Sequence, residues 1–119
     1  MTDTDLTSVE GRVAIVTGAS RRIGRGTALG LARHGADVVV TARSAQDEIE
    51  AVAEDIRALG RKATVVMCDV TDEDDVARLA DTVRAGHGRA DILVNNAAVR
   101  KQAPLLEMSL KEWKQINSV

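Results

Sequence analysis

Residues 12–26 read RVAIVTGASRRIGRG, and this stretch decides the fold. Its first part, residues 13–16, is a continuous run of β-favouring apolar residues, as expected for a strand that is buried on both faces of a parallel sheet. Gly18 permits a tight turn, and Gly24 allows the helix that follows to begin close to the strand. The free N–H groups in the first turn of that helix would then face the gap, which predicts an anion-binding site.

Composition and charge exclude several classes of function. The 119 residues include 16 Lys and Arg against 18 Asp and Glu, so the net charge is −2 and gives no reason to expect nucleic acid or an acidic membrane as a partner. The polar, acidic N-terminus does not resemble a signal peptide, and no apolar run approaches the roughly 18 residues of a membrane span. Cys68 is the single cysteine, so an internal disulfide is impossible. We therefore expect a cytoplasmic protein of one domain.

The sequence is almost free of aromatic residues. It contains no Phe and no Tyr, and Trp113 is the one aromatic side chain. The core must therefore be built from Val, Ile, Leu and Ala. A reaction that requires a tyrosine cannot be carried by these 119 residues.

Four predicted strands alternate with helices along the chain. The strands are expected at residues 13–16, 37–42, 63–68 and 91–94. This alternation is typical of βαβ crossovers, and it predicts an α/β Rossmann-type doubly wound parallel sheet with strand order 3-2-1-4. Ligands bind such sheets at the carboxyl ends of the strands, and a dinucleotide pyrophosphate is the commonest occupant of a glycine turn there. Residues 1–10 are expected to be a flexible lead-in to a dinucleotide-binding domain over residues 11–119.

The helices carry their own signals. Ser44 with Asp47, and Thr71 with Asp74, resemble N-terminal caps. Gly35 is a good left-handed residue for the end of the first helix. Two further glycines, at positions 26 and 30, lie inside that helix. They indicate either that this face packs tightly on the sheet or lies near a ligand, or that the helix tolerates glycines with no specific role.

Three motifs in register carry a resemblance to a known family. They are TGASRRIG at residues 17–24, Asp69-Val70, and NNAA at residues 95–98. From residue 11 onward the chain resembles the N-terminal half of the short-chain dehydrogenase/reductase family. Two positions depart from the family pattern, which usually has Gly in place of both Arg22 and Ala98. An Arg at position 22 is similar to the variant in pteridine reductases.

The resemblance implies roles for the strand-end residues. Asp69 would accept a hydrogen bond from the adenine amino group, with the backbone of Val70 beside it, although a strand-end Asp can also simply help to cap the next helix. Asn96 and Ala97 would lie along the ribose of the cofactor, although paired Asn residues after a strand also form plain turns. Arg22 either contacts the pyrophosphate or nicotinamide side of the pocket or points into solvent, and the sequence leaves the two open.

The choice between the two nicotinamide cofactors is argued from charge. An NAD site normally has a carboxylate near the end of the second strand, which holds the ribose 2′-hydroxyl. Ala42 takes that place here and Arg43 follows it. A guanidinium binds a 2′-phosphate well, and Arg21 can reach the same phosphate from the glycine turn. Unless these two arginines are ordinary surface residues, they favour NADP(H) over NAD(H).

These arguments together predict one cofactor site. Its residues are Gly18, Ala19, Ser20, Arg21, Arg22, Ile23, Gly24, Arg43, Asp69, Val70, Asn96 and Ala97. No metal site is expected, because the two histidines and the cysteine are well separated in sequence. Ser20 is expected to donate to a phosphate rather than to act as a nucleophile, since no histidine is placed to activate it.

No catalytic residue is predicted. The family uses a Tyr, with a Lys four residues later, for proton transfer, and this sequence has no Tyr. Asn117 resembles the family's assisting Asn in type but lies out of register. The fourth strand would also be left with an apolar, unpaired edge. We therefore expect the 119 residues to be a fragment or a truncated reading of a longer protein, and to be inactive alone.

Three functions remain open from the sequence. The first is the NADP(H)-binding part of an oxidoreductase that transfers a hydride between the nicotinamide and a small-molecule carbonyl or alcohol, or a pterin if Arg22 is a true signature. The second is a non-catalytic dinucleotide-binding or interaction module. The third is another doubly wound nucleotide binder. By resemblance, a homodimer or homotetramer is possible.

Overall fold

The computed structural model of the chain describes residues 8–96. The sheet is built from four parallel strands, and three helices connect them. In chain order the elements are β1 (Val13–Val16), α1 (Arg22–Arg33), β2 (Asp37–Ala42), α2 (Gln46–Ala58), β3 (Ala63–Met67), α3 (Glu73–His87) and β4 (Ile92–Val94). The helix that we expect to begin near residue 109 lies outside the described residues.

The strands follow the order β3-β2-β1-β4, which confirms the predicted fold class and strand order. At the carboxyl end of β1, Val16 is paired with Val40 of β2 on one side and with Val94 of β4 on the other. The carboxyl ends of β1 and β4 therefore lie side by side at the point where the strand order of the sheet changes direction. Ligands bind doubly wound sheets at this position.

Helices cover both faces of the sheet. On one face, apolar residues of α1 and α2 pack against alternate strand residues, including Val16, Val38 and Val40. On the other face, α3 packs against the residues between them, including Ile15 and Val39. Burial on both faces explains why β1 and β2 are continuous apolar runs, and aliphatic side chains and alanines fill both layers.

The folded domain begins before the predicted boundary at residue 11. The Val9 amide donates to the carbonyl of His34 over 3.0 Å, and the Arg12 amide donates to the carbonyl of Val9 over 3.0 Å. Val9 also packs against the core under α1 and α2. Residues 8–10 are therefore held by the end of α1 and are not a flexible lead-in, whereas residues 1–7 lie outside the described residues.

Both predicted N-terminal caps are wrong. The N-cap of α2 is Ala45, whose backbone is left-handed at φ +62°, and no side chain caps it. The N-cap of α3 is Asp72, whose side chain accepts hydrogen bonds from the amides of Asp74 and Asp75. Thr71 is therefore not the capping residue. The predicted left-handed residue after α1 is confirmed, because Gly35 has φ +104°.

Of the alternatives for the glycines inside α1, tight packing on the sheet is not observed. A β-carbon on Gly26 or on Gly30 would meet none of the described residues within 4 Å. No described neighbour therefore requires a glycine at either position. Among the described helices, none has the length and apolar composition needed to cross a membrane.

Candidate functional site

A cleft of about 240 Å³ lies at the carboxyl ends of β1, β2 and β3. It is formed where the turn after β1 faces the loops that follow the other two strands. The residues that line it are Gly18, Ser20, Arg21, Thr41, Ala42, Arg43, Ser44, Ala45, Cys68, Asp69, Val70 and Thr71. Six of the predicted site residues are thus brought together on this cleft, from three separate stretches of sequence.

The other predicted residues lie around the cleft rather than in its lining. Ala19 is buried in the turn, and Gly24 is buried in the first turn of α1. Arg22 and Ile23 are exposed at the start of α1. Asn96 follows β4 and contacts the turn from the far side. Ala97 lies outside the described residues.

The glycine turn brings α1 very close to β1. Gly18 has φ +60°, a left-handed backbone that glycine adopts without strain. A β-carbon on Gly24 would overlap the carbonyl oxygen of Gly18 and would lie 2.7 Å from Nδ2 of Asn96. The absence of a side chain at position 24 is therefore what allows the first turn of α1 to begin against the end of the strand.

The N-terminus of α1 is suited to an anion. Arg21 is its N-cap residue, its side chain makes no capping hydrogen bond, and the first turn contains no acidic residue. The amide groups there carry the positive end of the helix dipole. The anion site predicted from the glycine turn would lie here.

Arg22 adopts an unusual backbone conformation. Its φ is +58°, in the left-handed region that is unfavourable for residues with a β-carbon. The side chain is exposed and does not line the cleft. The position at which the family pattern has Gly thus keeps a glycine-like backbone although an arginine occupies it.

Thr17 joins β1 to the end of β4, and the sequence reasoning missed it. Its hydroxyl lies 3.1 Å from Oδ1 of Asn95 and accepts from the amide of Asn96 over 2.9 Å. Nδ2 of Asn96 in turn donates to the carbonyl of Gly18 over 3.3 Å. The signal in the sequence is a hydroxyl residue directly after an apolar strand. These contacts fix the glycine turn against the strand beside it.

Thr41 contributes a buried polar atom to the cleft. Its carbonyl accepts from the amide of Ala19 over 3.0 Å, which ties the glycine turn to β2. The side chain is fully buried, and its Oγ1 has no hydrogen-bond partner within the described residues. Because buried hydroxyls are normally hydrogen-bonded, this atom fits a polar ligand in the cleft.

The β2 side of the cleft carries a positive charge and no carboxylate of its own. Ala42 is buried at the end of the strand, and Arg43 is exposed beside it. Arg21 reaches the cleft from the opposite wall, where its Nε forms an ion pair with Oε2 of Glu48 at 3.1 Å. Two guanidinium groups therefore stand at this end of the cleft, and one of them contacts a carboxylate.

Asp69 is held as an ionised acceptor at the end of β3. Its Oδ1 accepts from the hydroxyl of Thr71 over 2.6 Å and from the amide of the same residue over 2.9 Å. These hydrogen bonds lower the pKa of Asp69, and the charge of Arg43 lowers it further. Since Asp72 is the residue that caps α3, Asp69 is not its N-cap.

Cys68 forms part of the cleft wall but is not a reactive thiol. Only 3% of its surface is exposed, and burial, followed by the charge of Asp75, raises its pKa to about 11. A thiol with such a pKa is a poor nucleophile and a poor metal ligand near neutral pH. Within residues 8–96, no three metal-binding side chains lie together.

Comparison with known proteins gives one consistent result. A family model described as short chain dehydrogenase matches residues 12–119. The chain is 42% identical over 118 residues to gluconate 5-dehydrogenase of Gluconobacter oxydans, covering 99% of this chain and 46% of that protein. It is 40% identical over 111 residues to 3-oxoacyl-[acyl-carrier-protein] reductase of Synechocystis, covering 93% of this chain and 45% of that protein. The chain thus spans about half the length of the curated relatives it matches.

Solved structures give the same fold. A short chain dehydrogenase from Burkholderia cenocepacia, in complex with NADP, superposes with a TM-score of 0.85 at 30% sequence identity. The match covers 92% of this chain and 52% of that one.

Proposed function

Because the chain belongs to the short-chain dehydrogenase family, we propose that it forms the NADP(H)-binding part of an oxidoreductase. In the complete enzyme a hydride would pass between the nicotinamide and a small carbonyl compound or alcohol. The observation that carries the NADP(H) preference is the end of β2, where Ala42 stands in place of a carboxylate and Arg43 lines the cleft. A guanidinium attracts a 2′-phosphate, which a carboxylate there would repel.

Other features of the cleft support a bound dinucleotide. The uncapped N-terminus of α1, which Gly24 brings against the end of β1, suits the pyrophosphate. The ionised Asp69 suits the adenine amino group, since it accepts hydrogen bonds and cannot donate. The hydroxyl of Thr41, which has no hydrogen-bond partner within residues 8–96, is a further polar group at the cleft. The donor set of the chain therefore fits this cofactor.

The cofactor, when bound, supplies the hydride. The residues of this chain bind and orient the cofactor, and they discriminate between NADP(H) and NAD(H). In the family that the chain resembles, a Tyr transfers the proton, and these 119 residues contain no Tyr. We therefore propose that the chain by itself binds the cofactor without turning over a carbonyl substrate. The complete enzyme is proposed to act in the cytoplasm as a homodimer or homotetramer, on the strength of the family resemblance.

A titration tests the proposal. NADPH and NADH are added separately to the full chain, and binding is followed by the fluorescence of the reduced nicotinamide. We expect NADPH to bind at least about tenfold more tightly, because a charge-assisted hydrogen bond to a phosphate contributes about 1.5–3 kcal/mol. Equal affinities, or tighter binding of NADH, would remove the argument from Arg43.

A further inference from the structure

The ion pair between Arg21 and Glu48 joins the turn after β1 to the start of α2, beside the cleft. Arg21 belongs to the turn after β1, whereas Glu48 lies in the first turn of α2, three residues after Ala45 of the opposite wall. The Nε of Arg21 and Oε2 of Glu48 are 3.1 Å apart. Glu48 does not itself line the cleft, so it touches the cleft only through the arginine.

We propose that Glu48 weakens the preference for NADP(H) by competing with the 2′-phosphate of this cofactor for Arg21. This inference rests on the proposed function, because it assigns a role to a residue beside the same site. A guanidinium binds a phosphate best with two parallel N–H groups. The carboxylate of Glu48 lies 3.1 Å from Nε, so it occupies the space in which a phosphate would meet the pair of donors that includes Nε.

The charge of Glu48 acts in the same direction. Its carboxylate lies beside the guanidinium and repels a phosphate that approaches it. Both side chains are well exposed, 63% for Arg21 and 49% for Glu48, so their ion pair is weak enough for a phosphate to displace. Glu48 therefore weakens the preference for NADP(H) without abolishing it.

Removal of the carboxylate tests this role directly. The dissociation constants of NADPH and NADH are measured for the wild-type chain, for Glu48→Gln and for Glu54→Gln. Glu54→Gln is the matched control, because it makes the same charge change on the same helix and also breaks an ion pair, with Arg57. We expect Glu48→Gln to tighten NADPH binding about fivefold at low salt, to leave NADH unchanged, and to lose most of its effect at high salt.

A second variant links the effect to Arg21. In an Arg21→Met background, Glu48→Gln should no longer tighten NADPH binding, since the donor for which the two anions compete is gone. If Glu48→Gln leaves NADPH affinity unchanged or weakens it, Glu48 does not compete, and the inference is overturned. Equal tightening of NADPH and NADH would overturn it as well, because the effect would then not involve the 2′-phosphate.

The two proposals fail in different ways. If the wild-type chain binds NADPH no more tightly than NADH, the proposed preference is wrong. The role of Glu48 is then tested separately, by whether Glu48→Gln shifts the ratio of the two affinities towards NADPH. An unchanged ratio would reject the role of Glu48. If the chain binds neither nucleotide, both proposals are rejected.

Discussion

Gly24 stands so close to Gly18 that a β-carbon at position 24 would overlap the Gly18 carbonyl oxygen. This approach lets α1 begin against the end of β1. Asn96 closes the contact from the other side, since its Nδ2 donates to the same carbonyl oxygen. The position of α1 against β1 therefore depends on the absence of a side chain at position 24.

We expect Gly24→Ala to destabilise the protein by about 2 kcal/mol or more, because the new methyl group must displace backbone. Gly26→Ala, two residues along the same helix, is the matched control, since its β-carbon would meet no described residue within 4 Å. That change should stabilise by up to about 1 kcal/mol through helix propensity. Urea unfolding of both variants measures the contrast, and similar stabilities would contradict the close approach.

Arg22→Gly should stabilise the protein by about 1 kcal/mol. The backbone of Arg22 is left-handed at φ +58°, and replacement by glycine removes the strain of the β-carbon. Arg33→Gly, at an exposed helical position at the end of α1, should destabilise by up to about 1 kcal/mol. Opposite shifts in thermal midpoint are expected for the two variants. A loss of stability in Arg22→Gly would show that the side chain makes a contact worth more than the strain.

Arg43→Gln should weaken NADPH binding by about tenfold or more while changing NADH affinity less than about twofold. The physical reason is that the 2′-phosphate, which NADH lacks, loses a charged donor. Arg33→Gln makes the same charge change on an exposed residue in the last turn of α1 and should alter neither affinity. Parallel losses for both nucleotides would mean that Arg43 does not contact the phosphate.

Stability should fall as the pH decreases below about 6.5, because His87 is partly buried. Burial, and then the charge of Lys62, lower its pKa from 6.5, while Asp37 opposes the shift. The unfolded chain therefore binds a proton at a higher pH than the folded chain, so acid favours unfolding. The effect is small, roughly a few tenths of a kcal/mol, since the ring is only half-buried.

The His87→Gln variant is the control for that pH dependence. Nε2 of His87 lies 2.9 Å from the hydroxyl of Thr64, and a glutamine amide can keep a hydrogen bond there without titrating. Urea unfolding from about pH 8 to about pH 5.5 should show a shallower slope for the variant. Identical slopes in the two proteins would place the titrating group elsewhere.

The sequence predicts this fold well because burial on both faces of the sheet determines which strand residues are apolar. Val38 to Val40 alternate between two buried layers, so an uninterrupted apolar run is required, and such runs are visible without any structure. The family resemblance read from the three motifs is confirmed by the matching family model. What the sequence predicts less well are choices between neighbours, such as Asp72 rather than Thr71 at the start of α3.

Long-range contacts were the least predictable part of the site. Six predicted residues meet in the cleft because strand ends converge at one edge of a parallel sheet. Nothing in the spacing indicates that Arg21 pairs with Glu48, or that the hydroxyl of Thr41 is left without a partner among the described residues. Such contacts depend on how the walls of the cleft are oriented relative to one another. The spacing of apolar residues along the sequence does not determine that orientation.

The pairing of β1 with β4 has a consequence for synthesis on the ribosome. The amide of Val13 donates to Oδ2 of Asp91, and Asn96 reaches Gly18, so both ends of β1 are closed by residues made almost 80 positions later. A nascent chain that has emerged only through α3 must hold one edge of its central strand open. Pausing of translation before residue 91 would thus expose a β edge to chaperones and to other nascent chains.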